Sequence, residues 1–259
     1  MNVLVFDIET VPDVETGRRL YGLQDINDED VAKALAALRR EQTGDSDFLR
    51  HHLHRVIAIS AVLRSADTLR IWSLGDLQAS EPEIIQRFYD GIEKYTPTLV
   101  SWNGSGFDLP VLHYRALKHG IAASRYWETG ADDQSFRWNN YLSRFHERHT
   151  DLMDVLSGYQ PRAAARLDDI ARLIGLPGKL GMDGSAVWGN FLAGRLEAIR
   201  NYCEIDVVNT YLVYLRYELM RGNLDSPVYE RELGLMRETL ATAEKPHFRE
   251  YLAEWTAAK

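Results

Sequence analysis

The sequence predicts an α/β protein in which a mixed sheet carries helices on both faces and a helical tail follows. Three observations support this. Strand-like segments cluster near the start; segments of helical period then alternate with short apolar ones; and the last stretch, SPVYERELGLMRETLATAEKPHFREYLAEW, has no strand pattern.

In order, NVLVFDI reads as a first central strand, followed by a polar stretch from Pro12 to Asp30. DEDVAKALAALRREQ has helical period with Asp28 as its expected N-cap. HRVIAISAVLR (His54 to Arg64) and TLRIWSL (Thr68 to Leu74) read as two strands joined by a turn at Ser65, Ala66 and Asp67. A helix is expected over EPEIIQRFYDGIEKY, a short strand over TLVSW (Thr98 to Trp102), and a helix from about Phe107 to His119. Residues 122–149 are aromatic and polar without period, as in a long loop with helical pieces. HTDLMDVL suggests a fifth short strand, and RLDDIARLIGL an amphipathic helix closed by Gly175 and Pro177. The glycine-rich GLPGKLGMDGSAVWG then leads into a long helix from about Arg195 to Met220.

Composition narrows the class of protein. With 45% apolar residues among 259, the chain can bury a sizeable core. The net charge of −8, from 30 basic and 38 acidic residues, argues against coating nucleic acid by bulk electrostatics but not against local phosphate contacts through metal ions. No apolar run approaches the roughly 20 residues that span a bilayer, so no membrane role is expected. MNVLVFDIET lacks a signal-peptide pattern and Cys203 is the sole cysteine, so a reducing, cytoplasmic setting is expected.

Four acids stand at the edges of this pattern. Asp7 and Glu9 are two apart on the first strand, so both side chains leave one face. Asp108 follows the Asn103–Gly104 turn, at the carboxyl end of a strand and the start of a helix. Asp206 lies on an apolar helical face with Tyr202 four residues before it. Singly, each has a plain structural reading: a strand-end acid pair held by Arg or Lys, a helix cap, a buried phenol satisfied by an acid. Jointly, four carboxylates from separate segments suit a hard dication with oxygen ligands, and a second dication would complete a phosphoryl-transfer site.

Asp7-Ile8-Glu9-Thr10, Asn103-Gly104-Ser105-Gly106-Phe107-Asp108 and Tyr202-Cys203-Glu204-Ile205-Asp206 resemble the three motifs of DEDD-type 3′–5′ exonucleases, in the tyrosine variety. WNGSGFDLPVL, YCEIDVVNTYLVYL and LDDIARLIGLPGK extend the resemblance to the proofreading exonuclease domain of family-B DNA polymerases. It spans about Met1 to Tyr217, and what remains is too short for a polymerase, so a stand-alone PolB-like exonuclease is expected. The resemblance implies a ribonuclease H-like (DnaQ-like) fold, with the exonuclease domain over residues 1–220 and a helical extension over 221–259. It implies hydrolysis at the 3′ end of single-stranded nucleic acid, DNA favoured, with two Mg2+ or Mn2+ ions and release of nucleoside 5′-monophosphates. Asp7 would bridge both metals, Glu9 and Asp206 would complete one, and Asp108 would hold the other through water. Tyr202 would orient the attacking water, while Thr10, Asn103 and Phe107 fall at positions near the bound strand. An exoribonuclease or oligoribonuclease with the same site, and a nucleic-acid-binding module that does not cleave, stay open as alternatives.

Other features are weaker. His51, His52 and His54 invite a metal reading, but a loop or strand-edge cluster is expected. Tyr126, Trp127, Phe136, Trp138 and Tyr141, interleaved with Arg125, Arg137 and Arg144, suit either base stacking or core packing. Arg162 and Arg166 are candidates for phosphate contact.

Overall fold

The structure is a computed structural model that describes residues 2–66 and 68–257. In chain order the elements are β1 (Val3–Pro12), α1 (Val14–Tyr21), α2 (Asp28–Thr43), β2 (His54–Ser65), β3 (Thr68–Ser73), α3 (Glu81–Tyr95), β4 (Thr98–Ser101), α4 (Asp108–His119), α5 (Ser124–Trp127), β5 (His149–Asp151), α6 (Leu152–Leu156), α7 (Leu167–Leu173), α8 (Val187–Leu192), α9 (Leu196–Met220), α10 (Ser226–Thr242) and α11 (Pro246–Ala257). The strands form one sheet in the order β3-β2-β1-β4-β5. β2 runs antiparallel to β1 and β3, whereas β1, β4 and β5 are parallel. This mixed five-stranded sheet with helices on both faces and a helical C-terminal region is the expected α/β, ribonuclease H-like arrangement.

Alternation along β1 builds two cores. Leu4, Phe6 and Ile8 pack with Ile85 and Phe88 of α3 and Leu112 of α4. Val3 and Val5 point the other way, to Val208 and Leu212 of α9 and to Met236 and Phe248 of the last two helices. Each such buried side chain contributes about 1.5–3 kcal/mol. The same alternation carries Asp7 and Glu9 onto the α9 face. α9 itself is buried from Tyr202 to Leu215, because the sheet covers one side and α7, α10 and α11 cover the other. An acid between Tyr202 and Leu215 is therefore buried, as Glu204 and Asp206 are.

Three local expectations need correcting. The stretch from Pro12 to Asp30 contains a helix, α1, whose buried contact is Gly17 beneath Leu35. α2 is capped by Asn27, whose Oδ1 accepts the Asp30 N–H at 2.9 Å; Asp28 lies inside the first turn. Asp108 is the first residue of α4 and not its cap, which is Phe107. The expected turn at 65–67 includes Asp67, which lies outside the described residues.

Candidate active site at the carboxyl end of β1

Asp7 and Glu9 stand near the carboxyl end of β1, where the register against β2 shifts between Glu9 and Thr10. One ligating atom each from Asp7, Glu9 and Cys203 lie within 4.8 Å of one another. Asp108 arrives from the opposite layer, yet its Oδ1 accepts the N–H of Ile8 at 3.1 Å, which ties the start of α4 to the backbone between the two β1 acids. Asp206 comes from α9, one turn after Tyr202. The structure thus brings Asp7, Glu9, Asp108, Tyr202 and Asp206 to one end of the sheet.

The turn that delivers Asp108 is held from below. Asp151, at the end of β5, accepts the N–H of Asn103 at 2.9 Å and of Ser105 at 2.8 Å, and also caps α6 through Met153 N–H at 3.1 Å. Asn103 takes a left-handed φ of +64°, which Asn tolerates well. At Gly104 any Cβ would collide with Ser101 Oγ. Asp151 has no place in the motifs; its only trace in the sequence is an acid directly preceding LMDVL, an N-cap signature.

Charge balance sets the chemistry of this cluster. The carboxyls of Asp7 and Glu9 are both held well above their ordinary range by burial. The negative neighbours add to this, Asp108 and Asp206 for Asp7, and Asp7 and Asp206 for Glu9. Burial likewise lifts Asp108 to about 7, against the pull of two backbone N–H bonds, and it raises Asp206. The counter-charge within reach is Lys179, whose ammonium lies 3.1 Å from Asp206 Oδ2 and also bonds the Tyr202 hydroxyl. Burial alone would lower the Lys179 pKa, but Asp206, Asp7 and Glu9 raise it. Sequence reasoning missed Lys179, although it ends the segment LDDIARLIGLPGK.

The donor set fits hard divalent cations. Asp206 Oδ1 is buried without a hydrogen-bond partner, an arrangement that costs free energy unless something positive meets it. The Cys203 thiol donates to Asp7 Oδ2 at 3.4 Å. Burial and then the charges of Asp7 and Glu9 push its pKa well up, so it is a neutral thiol beside an oxygen set.

A cleft of about 760 Å³ opens beside Glu9 and Thr10, between α2 and α8. Phe107 lines it, with Phe48 tilted against it at 5.4 Å between ring centroids and more than half exposed, and Trp188 lies on the α8 side. His54 is buried, with Thr10 Oγ1 2.9 Å from its Nδ1 and Leu49 O 3.2 Å from its Nε2. His51 Nε2 sits 2.8 Å from Gly106 O, so these histidines brace the loops flanking the site. Of the aromatic segment, Tyr126, Phe136 and Tyr141 are core, whereas Trp127 and Trp138 are exposed. Arg162 and Arg166 are exposed on the segment before α7.

Among the described residues no helix is long and apolar enough to cross a membrane. The chain is 25% identical over 153 residues to a DNA polymerase of Archaeoglobus fulgidus, covering 56% of this chain and 19% of that protein. It is 51% identical over 39 residues to DNA polymerase 1 of Sulfurisphaera ohwakuensis, covering 15% of this chain and 4% of that one. The chain thus spans a fifth or less of the length of these curated relatives. Among solved structures, the family B DNA polymerase of Pyrobaculum calidifontis is similar with a TM-score of 0.49 and 17% identity, over 85% of this chain and 24% of that one. Residues 46–255 match the model of a family described as predicted 3′–5′ exonucleases related to the exonuclease domain of PolB, and the chain belongs to that family.

Proposed function

We propose that this protein is a metal-dependent 3′–5′ exonuclease that hydrolyses the terminal phosphodiester of single-stranded nucleic acid, DNA favoured, releasing nucleoside 5′-monophosphates. The observation that carries this reading is the meeting of four carboxylates, all pushed toward protonation, with the ammonium of Lys179 as their cation among the described residues. Asp7 would hold two cations in common, Glu9 and Asp206 would complete one, and Asp108 would hold the other. Two Mg2+ or Mn2+ ions there would acidify the attacking water and offset charge growing on the leaving 3′ oxygen.

The chain's own part is positioning. The Tyr202 hydroxyl, with Lys179 and Asp206 as neighbours, orients the water for attack on the terminal phosphorus. Thr10 and Phe107, with Asn103 shaping the adjacent turn, line the approach of the 3′ nucleotide. The Phe107–Phe48 pair gives its base a stacking surface worth about 1–3 kcal/mol per base. Residues 1–220 form the exonuclease unit and 221–259 its helical extension. A reducing, cytoplasmic location is part of the same proposal, and no protein partner is assigned.

The test is a time course on matched 3′- and 5′-labelled DNA and RNA single strands, with Mg2+, Mn2+ or EDTA. The 3′ label should leave as mononucleotide while the 5′-labelled strand shortens stepwise. Chelation should stop the reaction, and a folded Asp7→Ala variant should lose on the order of 10³-fold or more. Undiminished degradation by that variant, or after exhaustive chelation, contradicts the proposal.

A further inference from the structure

The loop that carries Lys179 is clamped at a single peptide unit, and one jaw of the clamp reaches to the C-terminal helix. Tyr202, Asp206 and Asn209 form a stripe along α9 at i, i+4 and i+7, all facing the loop that crosses it. Tyr202 and Asp206 receive the Lys179 ammonium. Asn209 instead donates its side-chain amide to the Gly178 carbonyl at 3.0 Å. The N–H of the same peptide unit, that of Lys179, donates to Asp168 Oδ1 at 2.7 Å. With its carbonyl and its N–H both held, the plane of the Gly178–Lys179 peptide is fixed, and with it the direction in which the lysine side chain leaves the backbone. Gly178 has φ +76°, and a Cβ there would run into Asp168 Oδ1, so the tight passage between clamp and helix needs glycine.

Asn209 is oriented in turn. Its Oδ1 accepts the Tyr251 hydroxyl of α11 at 2.7 Å, and both residues are essentially without solvent exposure. The Gly178 carbonyl can only accept, so the Asn209 NH2 must face it and its oxygen must face Tyr251. Loss of the tyrosine hydroxyl would leave that oxygen buried and unpaired.

We infer that Asn209 and Tyr251 are positioning residues for Lys179, so that the C-terminal helix sets the geometry of the candidate active site through the chain Tyr251–Asn209–Gly178–Lys179. The catalytic consequence rests on the proposed exonuclease function, whereas the anchoring of the loop does not.

Two measurements on the full-length chain test this. In substrate-free protein, hydrogen exchange at the amides of Lys179–Met182 should speed up about 10-fold or more in Asn209→Ala, and less in the nearly isosteric Tyr251→Phe, while α7 and α9 keep their protection. In strand degradation, Asn209→Ala should lower kcat about 10-fold with KM within about twofold, since misplacing a catalytic group costs turnover. In a Lys179→Ala background the same change should lower kcat no further. Unchanged loop protection in both variants overturns the inference whether or not the wild type degrades strands. Equal kcat losses with and without Lys179 overturn it too, since they would make Asn209 a general support of the fold. Lost loop protection in the variants, with a wild type that degrades nothing, overturns the proposed function alone.

Discussion

Two groups of acids beside the carboxyl half of β1 meet opposite fates. Asp13, just past β1, and Glu81, at the start of α3, converge on Arg115 of α4, whose side chain is 2% exposed. Arg115 bonds both carboxylates, Lys118 adds a contact to Asp13 at 3.0 Å, and His119 lies 2.8 Å from Glu81. Burial alone would raise the Asp13 pKa, but bonds from Thr16, Arg115 and Lys118 hold it well below the carboxylate range. Glu9, Asp108 and Asp206 are buried as well and Asp7 is partly so, yet these four have Lys179 as their cation and shift the opposite way. The first group is complete as folded and staples β1, α3 and α4 together. The second needs added cations or retained protons to balance its charge, and this contrast separates a structural acid cluster from a candidate metal site.

The contrast is most sharply broken at Arg115. Arg115→Met should destabilise the fold by about 3–5 kcal/mol, because two buried carboxylates would lose their partner. Chemical denaturation would measure it, and a loss under 1 kcal/mol would mean the staple is not load-carrying for stability.

Tyr202→Phe probes the other cluster with one atom. Turnover should fall on the order of 10- to 1,000-fold, with strand and metal affinity nearly unchanged. Unchanged turnover with a melting point lowered by the equivalent of about 1–2 kcal/mol would make Tyr202 a structural phenol and remove the tyrosine-type assignment.

A smaller effect distinguishes the clusters by pH. Asp108 has its folded pKa raised to about 7, so its contribution is present below the unfolded value near 4 and is lost as pH rises through 7. Asp13 is depressed, so its contribution is present above about pH 4 and is lost as pH falls through its folded value. Between pH 5 and pH 8 the metal-free wild type should therefore lose melting temperature, by a few degrees more than Asp108→Asn. Parallel melting curves for the two proteins across that range would contradict the assignment.

The sequence made legible whatever depends on period. Alternation on β1 placed Asp7 and Glu9 on one face, the i, i+4 spacing joined Tyr202 to Asp206, and the Asn103–Gly104 turn put Asp108 at the start of a helix. What depends on a loop meeting a helix was not legible. Lys179 and Asp151 join the candidate site through tertiary contacts that no local spacing encodes. α1 was missed because its buried contact is a glycine, which adds nothing to an apolar pattern. The aromatic segment split between core and surface because its rings follow the packing around Tyr126 and Tyr141 and not a repeat.

The central claim is that divalent cations supply the charge the second cluster lacks. Calorimetric titration of Mn2+ into the metal-free chain at pH 7, in wild type and in the near-isosteric Asp7→Asn, addresses it without any substrate. The account predicts binding to the wild type with release of protons from the displaced carboxyls, a raised melting point at millimolar Mn2+, and loss of both responses in Asp7→Asn. Equal binding by the two proteins, or no binding by either, would contradict it.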